Sequence, residues 1–270
     1  MNAINDAFQK AQAKGNGALV GYIMAGDPKP ELTAKIADAL IKGGVDILEL
    51  GLPFSDPIAD GPTIQAASVR ALAAGTTPAK VLDIAKVIRQ SHDVPIVIMT
   101  YYNPVFRMGL DKFFSLAQKC MVDGVIVPDL PVEEAADYVK AAKKTGIDTI
   151  FLVAPSTSNE RVSKIVEFSS GFLYLVSHFG VTGAQSDIED STIQLIKRIL
   201  PFTSSKVPLA VGFGVSKPEH VKRIIYAGAD GVIVGSAFIN IIHKHQDSIN
   251  VIIKKLEETA SQLKKATKNH

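Results

Sequence analysis

Two carboxylates within one short stretch, LELGLPFSDPIADGPTIQAA from Leu48 to Ala67, could divide acid and base chemistry between them. Glu49 sits inside an apolar, strand-like run (Ile47, Leu48, Leu50) and precedes Gly51, so burial there raises the carboxyl pKa and lets it hold a proton near neutrality. Asp60 lies eleven positions on, beyond a loop stiffened by Pro53 and Pro57 and just ahead of Gly61 and Pro62, whose Pro-Thr pair opens a helix containing Ile64, Ala67 and Ala71. Two carboxylates with different solvation are how one site runs acid and base steps together. Taken alone, Asp60 reads as a cap of the following helix, and Glu49 could belong to a buried ion pair. The cost of placing an acid within a buried strand favours a working role for Glu49.

A second signal is a pair of glycine-rich strand ends, VGFGVSKPEHV (Val211 to Val221) and GADGVIVGSAF (Gly228 to Phe238), each ahead of a helix. Glycine lets backbone approach a ligand closely, and the amides that start a helix after Gly235 and Ser236 carry partial positive charge, so together they hold an anion such as a phosphate without a lysine. The alternative is that Gly214 and Gly235 only make tight turns. No metal site is predicted: His243 and His245 are two apart and share no helix face, and His92, His220 and His270 lack a ligand partner at suitable spacing. With no Walker motif, no GxGxxG after the first strand and no lysine suited to a Schiff base, carbon–carbon cleavage here would depend on acid–base groups alone, and no cofactor is expected.

These groups need a frame, and short apolar strands followed by amphipathic helices supply it. The expected strands are Leu19 to Met24, Ile47 to Leu50, Ile96 to Thr100, Gly124 to Val127, Thr149 to Val153, Phe172 to Val176, Leu209 to Gly212 and Val232 to Val234. Several enter through a similar turn, as in GGVDILEL, VDGVIVPDL, TGIDTIFLV and AGADGVIVG. Eight such units predict a (β/α)8 TIM barrel in a single domain over 1–270, with an open doubly wound sheet as the weaker alternative. Ile4 to Lys14 and Pro78 to Gln90 read as additional helices, and the residues from about 262 as a frayed tail. In a barrel the C-terminal strand ends hold the chemistry, and there lie Tyr22 with AGDP, Glu49, TYYNP (Thr100 to Pro104), PDLP (Pro128 to Pro131) and Tyr174 with SHFGVTG (Ser177 to Gly183). Tyr22 and Tyr174 could equally be aromatic filling.

Composition closes off other classes. A net charge of +2 offers no field for nucleic acid, and the Lys-rich stretch from Lys254 to Lys268 reads as the solvated face of a last helix. The apolar run from Gly231 to Ile242 is too short to span a membrane, and the N-terminus lacks the apolar core of a signal peptide, so a cytoplasmic protein is expected. Cys120, the only cysteine, reads as a small buried hydrophobe.

The segment from Leu48 to Ala67, followed in order by YYNP, PDLP, FGVTG (Phe179 to Gly183), GFGVS (Gly212 to Ser216) and GADGVIVGSAF and preceded by AGDP, resembles the α subunit of tryptophan synthase over nearly the whole chain. The resemblance implies cleavage of indole-3-glycerol phosphate to indole and glyceraldehyde 3-phosphate. It makes Glu49 the general acid–base group on the indole ring carbon and Asp60 the partner of the indole N–H. It places Tyr174 beside Glu49, puts Tyr22 and Thr100 along the indole pocket, and assigns Gly183, Gly214, Gly235 and Ser236 to phosphate, with Phe213 among the substrate contacts. Thr182 belongs to a loop, Gly180 to Ser191, expected to be mobile and to close over Asp60. The implied partner is a pyridoxal-phosphate-dependent β subunit in an α2β2 complex, with no nucleic acid or membrane partner implied; the apolar, proline-stiffened surface of Phe54, Pro57, Tyr102, Pro104 and Phe106 on the same barrel face reads as a docking patch for it. His178, Phe179 and Thr100 depart from the family's common residues. A self-sufficient indole-3-glycerol phosphate lyase is the nearest alternative; another sugar-phosphate isomerase and a non-catalytic phosphate-binding subunit are the more distant ones.

Overall fold

Parallel strands follow one another around a ring in this computed structural model, which describes residues 2–177, 190–212 and 214–268. They are β1 (Ala18–Met24), β2 (Ile47–Gly51), β3 (Ile96–Met99), β4 (Gly124–Ile126), β5 (Asp148–Ile150), β6 (Leu152–Val153), β7 (Leu173–Val176), β8 (Leu209–Gly212) and β9 (Gly231–Val234). Their order is β5-β4-β3-β2-β1-β9-β8-β7-β6. The fifth expected strand is thus two pieces separated by Phe151. Its first part bonds to β4 and its second to β7, because tilted barrel strands are staggered and each neighbour covers only part of the length. In-and-out alternation continues through the break, with Ile150 facing the barrel interior and Phe151 facing the helices, so the chain itself closes an eight-position ring.

The helices are α1 (Ala3–Ala13), α2 (Thr33–Lys42), α3 (Pro62–Ala73), α4 (Pro78–Arg89), α5 (Tyr102–Met108), α6 (Leu110–Lys119), α7 (Ala136–Thr145), α8 (Asn159–Phe168), α9 (Asp190–Thr203), α10 (Pro218–Tyr226), α11 (Ser236–Lys244) and α12 (Ile249–Lys265). Both expected additions form, as α1 and α4. No helix among the described residues is long and apolar enough to cross a membrane. The reused strand-entry turn has a definite bond behind it. Asp46, Asp123 and Asp230, each just before a strand, accept from the N–H of Leu19, Ile96 and Leu209 on the neighbouring strand at 2.7, 2.8 and 2.7 Å, and their own N–H groups donate back to the same residues. Each pair fixes parallel register at the N-terminal mouth.

Alternation divides the apolar core into two clusters. Leu19, Ile23, Leu48, Leu50, Ile96, Ile98 and Leu175 pack against the helices, while Val20, Ile47, Val97, Ile126, Ile150, Phe172, Ala210 and Ile233 fill the barrel. α1 stops the lower end: Ile4 and Phe8 enter it, Phe8 lies 5.8 Å from the Phe172 ring, and Asn2 caps the helix through Ile4 and Asn5 N–H groups.

Up to Lys268, where the described residues end, the expected fraying from about residue 262 is not seen. Leu263, Ala266 and Thr267 are buried, the Lys264 ammonium bonds Asp46 and the Gly17 carbonyl, and Lys268 bridges Asn16. The lysines there are not all solvent-facing: Lys264 meets the carboxylate of a strand-entry Asp, so the helix end is held rather than free.

Candidate active site

The inward positions at the C-terminal ends of the strands form one layer, and the sequence puts its polar groups there. On β2, Glu49 shares the inward parity of Ile47; on β1, Tyr22 is its register partner; on β7, Tyr174 continues inward from Phe172. Both tyrosine rings need space that only glycine leaves. A Cβ on Gly51 would lie 2.3 Å from the Tyr22 hydroxyl, and one on Gly212 would lie 2.5 Å from the Tyr174 hydroxyl. Tyr22, Glu49, Asp60, Gly61, Ile64, Met99, Tyr174, Gly214, Val215, Ile233, Gly235 and Ser236 line a pocket of about 110 Å3.

Glu49 is 1% exposed, and its Oε2 has no hydrogen-bond partner among the described residues. Burial, with the Asp60 charge adding to it, pushes its pKa up to about 8. Near neutrality it therefore holds a proton at the pocket wall, able to act as an acid and, once spent, as a base. Asp60 is half-buried; its pKa rises to about 6 through burial, opposed by a hydrogen bond from the Tyr101 hydroxyl, so it is ionised at neutral pH. One neutral and one charged carboxyl in a single pocket is the division of labour that acid–base catalysis needs.

The Asp60 loop is held from several sides. The Tyr101 hydroxyl accepts from the Ala59 N–H at 2.9 Å while donating to Asp60, and the Tyr101 ring stacks on Phe54 at 5.3 Å. Ser68 on α3 accepts from the Phe54 N–H and donates to its carbonyl, both at 2.9 Å. Farther along α3, Arg70 grips the fully buried Asp27 carboxylate with two bonds of 2.8 and 2.7 Å. The AGDP segment after β1 thereby anchors the helix that follows Asp60.

At the opposite side of the pocket the chain turns at Gly214, with a left-handed φ of 79°, and Gly235 leads into α11 at Ser236. Among the described residues no lysine or arginine lines this end, whereas the start of a helix at Ser236 does. Thr182, Gly183 and Phe213 lie outside the described residues, as does most of the loop expected from Gly180; its last residues, Asp190 and Ser191, begin α9.

Thr100 is buried, its hydroxyl donates to the Tyr101 carbonyl at 3.2 Å, and it is not among the described residues that line this pocket, whereas its neighbour Met99 is. Counting by two from Val97 reaches Met99, so strand alternation carried the missed signal. Ile64, Val215 and Ile233, also lining the pocket, were not singled out from the sequence, nor was Tyr101, whose role arises from a loop folding back over it. A larger groove of about 650 Å3 lies at the other end of the barrel between α1 and the segment after α9. Its polar lining is amides, hydroxyls, Lys206 and Asp230, beside apolar residues such as Phe8 and Ile225, and Asp230 is already occupied as a strand clamp, so it offers no pair of free carboxyls.

Known proteins carry the same framework. The family model for the tryptophan synthase alpha chain matches residues 8–268. The tryptophan synthase alpha chain of Methanosarcina acetivorans is 50% identical over 97% of this chain and 92% of its own, and that of Methanothermobacter thermautotrophicus is 48% identical over 92% of each. Among solved structures, tryptophan synthase subunit alpha from Legionella pneumophila superposes with a TM-score of 0.89 at 37% identity over 100% of both chains. A chain of the tryptophan synthase complex from Pyrococcus furiosus does so with a TM-score of 0.85 at 39% identity, covering 92% of this chain and 98% of that one. With a match that spans both carboxylates and both glycine turns, the chain belongs to the tryptophan synthase alpha chain family.

Proposed function

We propose that Glu49 and Asp60 together cleave indole-3-glycerol phosphate by a retro-aldol reaction, with Glu49 moving the protons and Asp60 holding the indole N–H. The reaction is the α step of tryptophan synthase, a carbon–carbon lyase step of tryptophan biosynthesis. Glu49 gives its proton to the ring carbon that bears the side chain, and the ring nitrogen takes up positive charge, which the ionised Asp60 offsets. The Glu49 carboxylate then takes the proton of the side-chain hydroxyl next to the ring. That oxygen becomes the aldehyde of glyceraldehyde 3-phosphate, the carbon–carbon bond breaks, and its electrons return to the ring, leaving indole. The observation that carries this reading is the pair of unequal carboxyls in one pocket, about 8 and about 6. Gly214, Gly235 and Ser236, with Gly183 by resemblance, receive the phosphate through their amides.

The partner in this reading is a pyridoxal-phosphate-dependent β subunit, in an α2β2 complex; the cofactor stays with that subunit. Phe106 and Ile58 are 67% and 82% exposed at the catalytic mouth, and the Tyr102 and Phe106 rings pack 5.9 Å apart beside them. Such a patch suits docking, and docking there would fix the loop that carries Asp60. The compartment we assign is the cytoplasm, since the phosphate charge confines the substrate to where it is made. Indole release from indole-3-glycerol phosphate tests the reading: the isolated chain should be slow, and the β subunit of the same source should speed it about tenfold, as a coupling of 1–2 kcal/mol gives. Fast release that the β subunit leaves unchanged would favour a self-sufficient lyase.

A further inference from the structure

We propose that the Tyr22 hydroxyl is a catalytic hydrogen-bond donor to the side-chain oxygen that becomes the aldehyde. This rests on the reading of the pocket given above and adds a third group to its chemistry. Tyr22 spans the pocket between its two ends. Its ring lies against Gly235, where a Cβ would meet it at 3.1 Å, and its hydroxyl reaches over Gly51 beside the two carboxylates. Across the β1–β2 pair it stands directly opposite Glu49.

The hydroxyl is not explained by packing. Tyr22 is 5% exposed, and its oxygen hydrogen-bonds to none of the described residues. A phenylalanine ring would fill the same space, so the hydroxyl is surplus to packing and is left for whatever occupies the pocket that Tyr22 lines. Glu49 lines the same pocket, and its buried Oε2 has no hydrogen-bond partner among the described residues. The Tyr22 phenol and the Glu49 carboxyl therefore stand on one pocket wall between the Asp60 end that holds the ring and the glycine end that holds the phosphate. The three-carbon chain of the substrate must cross that interval.

Burial, then the nearby Asp60 and Glu49 charges, raise the Tyr22 pKa well above its ordinary value, so the phenol is a donor and not a base. As Glu49 removes the proton from the hydroxyl next to the ring, negative charge builds on that oxygen before the carbon–carbon bond opens. A neutral donor held beside Glu49 bonds that oxygen more strongly in the transition state than in the ground state, which accelerates cleavage instead of tightening binding.

Tyr22→Phe tests the assignment with two ligands. Steady-state cleavage of indole-3-glycerol phosphate should show kcat reduced by about tenfold or more, as loss of one such donor gives, with KM changed less than about threefold. Binding of indole-3-propyl phosphate, which keeps the ring and phosphate but has no chain hydroxyl, should be the same for variant and wild type within about twofold, the precision needed to separate the two effects. A kcat equal to that of wild type would overturn the proposal and leave the function reading intact. An equal loss in affinity for the hydroxyl-free analogue would also overturn it, by assigning Tyr22 to pocket shape. Wild-type protein that releases no indole would instead remove the function reading itself.

Discussion

Replacing Glu49 by Gln should stabilise the protein, and by an amount that grows with pH. The carboxyl is 1% exposed, one of its oxygens has no partner among the described residues, and its pKa rises from 4.5 to about 8 on folding. A group with a raised folded pKa binds more protons folded than unfolded, so its contribution is most favourable at low pH and is lost as pH rises from 4.5 to about 8. At about 1.4 kcal/mol per pH unit, ionising Glu49 in the folded state costs about 5 kcal/mol above that window; water entering the open pocket reduces this to roughly 2–5 kcal/mol. Gln keeps the shape and carries no charge at any pH. Urea unfolding of both proteins at pH 5 and pH 9 isolates the effect, because every other titrating group is common to the pair. The variant should gain little at pH 5 and at least about 2 kcal/mol at pH 9 relative to wild type. A stability difference that is the same at both pH values would show that Glu49 is not a desolvated carboxyl, and the assignment of a stored proton would go with it.

Tyr101→Phe removes the hydrogen bond that holds the Asp60 pKa down, so the acidic limb of the kcat/KM profile should move to higher pH, with a larger loss at pH 6 than at pH 8; an unmoved limb would separate Tyr101 from Asp60. Arg70→Met leaves the buried Asp27 charge unpaired and should cost about 3 kcal/mol in urea unfolding, whereas a cost under about 1 kcal/mol would mean that the pair does not anchor α3. Gly235→Val places a branched side chain against the Tyr22 ring and over the phosphate amides, so KM should rise about tenfold or more with the circular dichroism spectrum kept; unchanged KM would move the phosphate elsewhere.

Period and turn chemistry made much of this molecule legible in the sequence. Near-continuous apolar runs marked the strands, and the Gly–Asp entry turn marked their starts, although its purpose, an Asp reaching to the neighbouring strand's N–H, depends on a partner 21 to 27 residues away. Glu49 was legible because an acid in a buried run is costly, and Asp60 only through its neighbour and the resemblance. Parity was the weak point. The resemblance assigns Thr100 to the indole pocket, yet one step along a strand turns a side chain to the other face, and it is Met99 that lines the pocket here. Arg70 and Asp27, 43 residues apart, and Tyr101 and Ala59, 42 apart, meet only once loops fold over the mouth, and no local pattern encodes them. The last lysines looked solvated because composition does not record that Asp46 waits for Lys264 at the barrel floor.

The central claim is that Glu49 moves the protons of the cleavage, and the most direct measurement is the rate at which Glu49→Gln protein releases indole from indole-3-glycerol phosphate, read beside the affinity of the same protein for indole-3-propyl phosphate. Removal of a general acid–base group costs about a hundredfold or more, so the account predicts release below about a hundredth of the wild-type rate with affinity kept within tenfold. Release above that level with affinity intact would contradict it, because the proton would then be coming from somewhere other than Glu49.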